Sequence, residues 1–147
     1  MKAHKILFPT DLSPDSNSAL PQATALARGA GATLLLLHIE EPPLPYGGGE
    51  VYYGTSDLNL EPAEDMLEKI VLPDPSVPCV RRVTVGDPAS EIVNVAKEEN
   101  VDLIVMSTHG RKGISRLLMG SVAELVVRRA HCPVLTVRQP GEEPLEM

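Results

Sequence analysis

Short, continuously apolar stretches recur along the chain, and stretches with helical spacing separate them. Runs this short and this apolar are typical of strands buried on both faces of a parallel sheet. The five predicted strands cover residues 6–8, 34–39, 80–85, 103–106 and 134–137. Strand–helix alternation through the whole chain predicts an α/β fold, a single-domain, open and mostly parallel five-stranded sheet with helices on both faces.

Helix start signals precede two of the helical stretches. Ser13 and Pro14 are a typical N-cap and first helical residue, and Asp87 and Pro88 repeat this pattern. Pro21 lies inside the first helical stretch, so we expect a kink there or a helix that begins only after it. The residues predicted to face the core are Ala19, Ala23, Leu26, Ala27 and Ala30, then Met66, Leu67 and Ile70 in a weaker helix over about 60–72, then Ile92, Val95 and Ala96, and finally Val122, Leu125, Val126 and Ala130.

The chain length of 147 residues fits one domain, which we place at residues 1–140. Segment 41–59 stands apart because it holds three prolines, three consecutive glycines and all three tyrosines. This composition predicts a long irregular loop that is either mobile or a lid over a site. The short acidic tail, residues 141–147, is predicted to be frayed.

Composition narrows the function classes. No apolar run approaches the ~20 residues that cross a bilayer, and the start of the chain has no secretory pattern, so we expect a cytoplasmic protein without a membrane partner. A net charge of -7 and 3% aromatic residues argue against nucleic acid as a partner. Cys79 and Cys132 are expected to stay free thiols, and no metal spacing joins them to His4, His38 or His131.

Polar residues follow two of the predicted strands at ends that meet on one edge of the sheet. Ligands of open parallel sheets bind beyond these carboxyl ends, near a helix N-terminus. Thr10 and Asp11 follow the first strand and residues 107–110 follow the fourth, so both groups suit one nucleotide. Gly120 and Ser121 lie where the last helix begins, and there free amides, the helix dipole and a hydroxyl favour phosphate.

The charge pattern of the same region is consistent with phosphate binding. No carboxylate lies between Asp102 and Glu124, whereas this span contains three basic residues, Arg111, Lys112 and Arg116. A solvated loop whose glycines only make turns is an equally open interpretation of the spacing. Asp11 is equally open, as a helix cap or as a ligand contact. His109 has no identifiable nucleophile to activate, so we predict no catalytic residue.

The chain resembles the universal stress protein family over about residues 4–138. The resembling segments are KILFPTD at 5–11, LLHI at 36–39, VGDP at 85–88, VDLIVMSTHG at 101–110 and LMGSV at 118–122. The nucleotide-binding branch is marked by Gly-x2-Gly-x9-Gly-Ser/Thr. The fitting register is Ser107-x2-Gly110-x9-Gly120-Ser121, with Gly113 outside the motif, so Ser107 replaces the first glycine. We expect the small serine to be tolerated unless its backbone requires a positive φ.

The resemblance implies a Rossmann-like strand order 3-2-1-4-5 with a site for ATP, or for ADP or AMP, between strands one and four. The implied binding residues are Pro9, Thr10, Asp11 and Ile39 for adenosine, Met106, Ser107, His109 and Gly110 for the ribose and phosphates, and Gly120, Ser121 and Val122 for the outer phosphates. A Mg²⁺ or Mn²⁺ ion on the phosphates fits this arrangement, although no nearby carboxylate is an obvious protein ligand.

The resemblance also implies a homodimer formed by antiparallel pairing of the last strand, from Pro133 to Arg138, which would cover an aggregation-prone edge. The favoured hypothesis is a regulatory ATP-binding protein with a stress-response role and an unknown signalling partner. Two alternatives stay open, a dimeric signalling protein that needs no nucleotide and a slow ATPase. Nucleotidyl-transferring relatives carry a Ser-Gly-Gly or His-x-Gly-His motif near the first strand, and the segment PTDLSP at 9–14 contains neither.

Overall fold

A computed structural model describes residues 3–42, 61–108 and 120–138 of the chain. Its strands are β1 (Lys5–Pro9), β2 (Thr33–Glu40), β3 (Cys79–Val85), β4 (Leu103–Ser107) and β5 (Val134–Val137). All neighbours pair in parallel, in the order β3-β2-β1-β4-β5. The predicted strands, sheet and strand order are therefore confirmed. The predicted tail, and the predicted loop apart from residues 41 and 42, lie outside the described residues.

The helices in these ranges are α1 (Pro14–Asn17), α2 (Leu20–Ala30), α3 (Ala63–Glu68), α4 (Pro88–Glu98) and α5 (Ser121–Arg129). Both predicted start signals are confirmed. The Ser13 hydroxyl accepts a hydrogen bond from the Ser16 amide at 3.0 Å, and the Asp87 carboxylate accepts one from the Ser90 amide at 3.1 Å. These side chains therefore cap α1 and α4.

The expected interruption near Pro21 is also present. Helix α1 stops at Asn17, and α2 starts again at Leu20. Pro21 thus lies in the first turn of α2, where the amide that proline lacks has no helical partner to lose. The break lets the chain turn over the end of β1 before α2 returns along the sheet.

Helix α3 is shorter than the predicted segment 60–72. It ends at Glu68, and a side chain from β3 closes its carboxyl end. The Arg81 guanidinium donates to the Leu67 carbonyl at 3.1 Å and to the Ile70 carbonyl at 2.7 Å. A cation at this end also opposes the negative pole of the helix dipole.

Apolar side chains form one core on each face of the sheet, as a two-sided parallel sheet requires. Helices α2 and α3 contribute to the first core, and α4 and α5 contribute to the second. The strand residues of the first core include Ile6, Phe8, Leu34 and Leu36, and those of the second include Leu7, Leu35, Leu37 and Ile104. Helices on both faces are therefore confirmed.

The prediction that every strand is buried on both faces is wrong for the two edge strands. Val80 and Val85 of β3 are 54% and 62% exposed, and Leu135 of β5 is 40% exposed. Strands β3 and β5 each have a neighbour on one side only. Their apolar residues are therefore less completely covered than those of the central strands.

The predicted core faces need correction at several helix positions. Leu26, Ala30 and Met66 were assigned to the core but are exposed. Thr24 and Ala123, which were not assigned, are buried. Thr24 is accommodated because its hydroxyl donates to a backbone carbonyl one turn earlier, at 2.8 Å.

The two cysteines are free, as expected. Cys79 packs against the first core and Cys132 against the second, so the sheet separates them. Burial raises the pKa of both thiols, which makes them poor nucleophiles. Across the described ranges, no helix has the length and apolar character needed to span a membrane.

Candidate functional site

A cavity of about 350 Å³ opens beyond the carboxyl ends of β1 and β4. From β1 the chain passes to β2 on one side, and β4 then joins β1 on its other side. Such a reversal leaves a crevice between the two strand ends, and the volume falls within the usual range for a ligand pocket. The predicted site residues that line this cavity are Pro9, Thr10, Asp11, Ile39, Met106, Ser107, Ser121 and Val122.

The remaining predicted site residues are placed differently. His109 and Gly110 lie outside the described residues. Gly120 lies beside the cavity, directly before the lining residue Ser121, without lining it. The sequence analysis missed six lining residues, which are Ser16, Glu41, Pro88, Ile92, Thr108 and Ala123.

A compact turn follows β1 and forms one wall of the cavity. The Thr10 amide donates to the Leu37 carbonyl at 2.8 Å, which extends the pairing of β1 with β2. The Asp11 carboxylate accepts hydrogen bonds from the amide of Ser13, at 2.9 Å, and from its hydroxyl. Asp11 therefore stabilises the turn, one of the two roles left open by the sequence, and it also lines the cavity.

The opposite wall begins at the end of β4. Ser107 pairs with Val137 as a regular strand residue, so a positive φ is not required where serine replaces the motif glycine. The Thr108 amide donates to the Val137 carbonyl at 2.9 Å, and the Thr108 carbonyl accepts from the Gly120 amide at 2.8 Å. Thr108 thus joins the end of β5 to the start of α5.

Gly120 does not use the backbone freedom that the sequence analysis assigned to it. Its φ of -60° and ψ of 152° are open to any residue. Because its amide already donates to Thr108, that amide is not available to an anion. The amides of Ser121, Val122 and Ala123 belong to the first turn of α5, where no helical carbonyl can accept them.

The cavity is electrically polarised. Asp11 and Glu41 follow β1 and β2 and bring carboxylates to one side. On the β4 side, residues 121–123 present the positive pole of α5, a helix of nine residues. A ligand with an anionic end and a hydroxyl-rich end would match this distribution.

Gly86 places α4 against the cavity. Its φ of +152° is strained for other residues, and a Cβ there would lie 2.9 Å from the Glu91 Cγ. Its amide donates to the Glu40 carbonyl at 2.9 Å, so the chain turns closely past β2 before α4 begins. This turn brings Pro88 and Ile92 to the cavity wall.

Thr84 lies next to Ile39 in the β2–β3 register. Within the described part of the chain, its hydroxyl is the buried side-chain polar atom that lacks a hydrogen-bond partner. The same residues contain no cluster of three or more His, Cys, Asp or Glu side chains that could hold a metal ion.

Comparison with known proteins gives a consistent result. The model of the universal stress protein family matches residues 2–138. Universal stress protein MJ0531 of Methanocaldococcus jannaschii is 36% identical over 145 residues, covering 95% of this chain and 84% of that protein. The solved structure of MJ0577 from the same organism matches with a TM-score of 0.73 and 28% identity, over 96% and 99% of the two chains. A universal stress protein in complex with cAMP matches with a TM-score of 0.63 and 26% identity, over 94% and 98%.

Proposed function

The chain belongs to the universal stress protein family, and from this premise we propose that it binds an adenine nucleotide, ATP or else ADP or AMP, between β1 and β4. The observation that carries the proposal is the meeting of residues 9–11, 106–108 and 121–123 around one cavity of about 350 Å³. The related structure that holds cAMP supports the same ligand class.

The polarity of the cavity favours one orientation of the nucleotide. The Asp11 carboxylate would repel phosphate but can accept hydrogen bonds from ribose hydroxyls, and Pro9 and Ile39 offer apolar surface to the base. Phosphates placed at Ser121 and Val122 would meet free amides and the positive end of α5. The proposed site also includes Thr10, Met106, Ser107, His109, Gly110 and Gly120, the last of which holds the Thr108 carbonyl.

A divalent metal, in this proposal, is bound mainly by the nucleotide. The described residues contain no cluster of carboxylates or imidazoles for Mg²⁺ or Mn²⁺. Such ions bind readily to phosphate oxygens while keeping several waters. The phosphates and water would therefore supply most of the coordination.

The proposed role is regulatory rather than catalytic. Two hydrogen bonds from Ser13 hold the Asp11 carboxylate in the turn and make it a weak candidate for activating water. We also propose a homodimer through the last strand, from Pro133 to Arg138. Strand β5 is an edge strand with an exposed Leu135, and pairing with a second copy would cover it.

Calorimetric titration with ATP and Mg²⁺, together with native mass spectrometry of the purified protein, tests nucleotide binding. Ser121→Glu places a carboxylate at the proposed phosphate position and should weaken ATP binding by about tenfold or more, since like charges at short range cost on the order of 1–4 kcal/mol. The exposed first turn of an unrelated helix supplies the control, Gln22→Glu in α2, which should bind like the wild type.

The possible results separate the hypotheses. A wild-type protein that carries no nucleotide and binds none on titration contradicts the proposal and favours the nucleotide-independent alternative. Equal affinities for the wild type and Ser121→Glu would place the nucleotide outside this cavity.

A further inference from the structure

His38 is a buried polar residue beside the cavity that the proposed site does not yet use. It precedes Ile39 in β2, and because strand neighbours point to opposite faces, its side chain lies on the sheet face opposite to Ile39. It is 8% exposed, and its Nδ1 atom lies 2.9 Å from the Thr10 carbonyl oxygen. Because a carbonyl oxygen only accepts, Nδ1 carries the hydrogen and donates it.

The carbonyl that His38 holds belongs to a turn fixed from several directions. The Thr10 hydroxyl donates to the Asn17 side-chain oxygen at 2.5 Å and accepts from the Leu12 amide at 2.9 Å. Leu12 has a φ of +69°, a left-handed conformation that leucine rarely adopts. Such a conformation persists where surrounding contacts hold it in place. The bond from His38 is the contact that reaches this turn from the side chains of β2.

Packing alone does not account for a histidine at this position. Its neighbours Leu34 and Leu36 on the same sheet face are fully buried apolar residues. A leucine would fill similar space without the cost of burying a polar ring. The feature that histidine adds is a directed N–H group toward Thr10.

We propose that His38 is a positioning residue for the nucleotide, acting through the Thr10 carbonyl. The hydrogen bond holds residues 10–12 in the shape that places Thr10 and Asp11 on the cavity wall. This inference rests on the proposed nucleotide function for its ligand. Its structural half, the ordering of the turn, can be measured without any nucleotide.

Three variants separate the N–H group from the volume of the ring. His38→Asn keeps a donor near the position of Nδ1, His38→Gln moves the donor outward to the position of Nε2, and His38→Leu removes it. We expect His38→Leu and His38→Gln to bind ATP about tenfold more weakly, and His38→Asn to bind within about threefold of the wild type. The control is Thr24→Val, which removes a buried hydrogen bond in the same core, on α2, and should leave ATP affinity unchanged.

Hydrogen exchange of the Leu12 and Ser13 amides in nucleotide-free protein is the second measurement. Both amides bond within the turn, so exchange should be faster in His38→Leu and near normal in His38→Asn. Unchanged exchange in His38→Leu overturns the inference whether or not ATP binds. ATP affinity that falls equally in all three His38 variants, or equally in Thr24→Val, overturns it as well. Faster exchange in His38→Leu, with no ATP binding by the wild type, would refute the proposed function and its nucleotide-positioning part but retain the ordering of the turn.

Discussion

Thr84 carries a buried hydroxyl without a partner among the described residues. A buried hydroxyl that makes no hydrogen bond costs about 1–3 kcal/mol, and valine has nearly the same shape. Thr84→Val should therefore raise the free energy of unfolding by about 1 kcal/mol, measured by urea denaturation followed by circular dichroism. Thr24→Val should lower it, because the Thr24 hydroxyl is bonded. A loss of stability in Thr84→Val would indicate that its hydroxyl has a partner.

At the residue scale, the sequence predicted the parts of the site that follow a strand or start a helix. Thr10 and Asp11 could be found because the carboxyl ends of parallel strands gather ligand contacts. Pro88 and Ile92 could not, since one also serves as a first helical residue and the other also has core spacing. Their position over the cavity depends on how α4 packs across the sheet. The use of the Gly120 amide by Thr108 likewise depends on tertiary structure.

At the element scale, local patterns predicted where strands and helices occur better than which of their faces are covered. Pro21 predicted the interruption before α2 because proline tolerates only a first-turn position in a regular helix. Val80 and Val85 were misjudged because the coverage of a strand depends on its place in the sheet, and β3 lies at an edge. Strand order came from the family resemblance, since apolar runs contain no information about neighbours.

Asp102 ties the two central strands together at their amino ends. Its Oδ2 atom accepts the amides of His4, at 2.8 Å, and Lys5, at 3.0 Å, where β1 begins. These two hydrogen bonds hold the pKa of Asp102 below its ordinary value of 3.8. Because the unfolded chain then binds more protons than the folded protein, stability from this group is present above pH 3.8 and is lost as the pH falls through the lower, folded-state pKa.

Asp102→Asn should therefore reduce stability at pH 7 and flatten the loss of stability in acid. Thermal unfolding followed by circular dichroism from pH 7 down to about pH 2.5, which brackets the ordinary carboxyl pKa, measures both effects. Asp65→Asn, on the exposed surface of α3, is the control and should keep the wild-type slope. An acid slope in Asp102→Asn as steep as that of the wild type would contradict the assignment.

At the scale of the whole molecule, the sheet has two edges, and the proposed dimer uses one of them. Leu135→Lys on β5 should convert the dimer to a monomer, as measured by light scattering after size-exclusion chromatography, because it places a charge in the pairing interface. Val80→Lys on β3 is the matched change at the opposite edge and should leave the dimer intact. Loss of the dimer only in Val80→Lys would move the interface to β3.

Thr108 gives these two proposals a common physical basis. Its amide bonds to Val137 in β5 and its carbonyl to Gly120 at the start of α5, so one peptide unit on each side of this residue touches the edge strand and the anion-facing helix. Any ligand that shifts this residue also changes the free energy of assembly. Thermodynamic linkage then makes the coupling reciprocal, so a nucleotide that tightens the association of two copies is itself bound more tightly by the associated form, by the same factor.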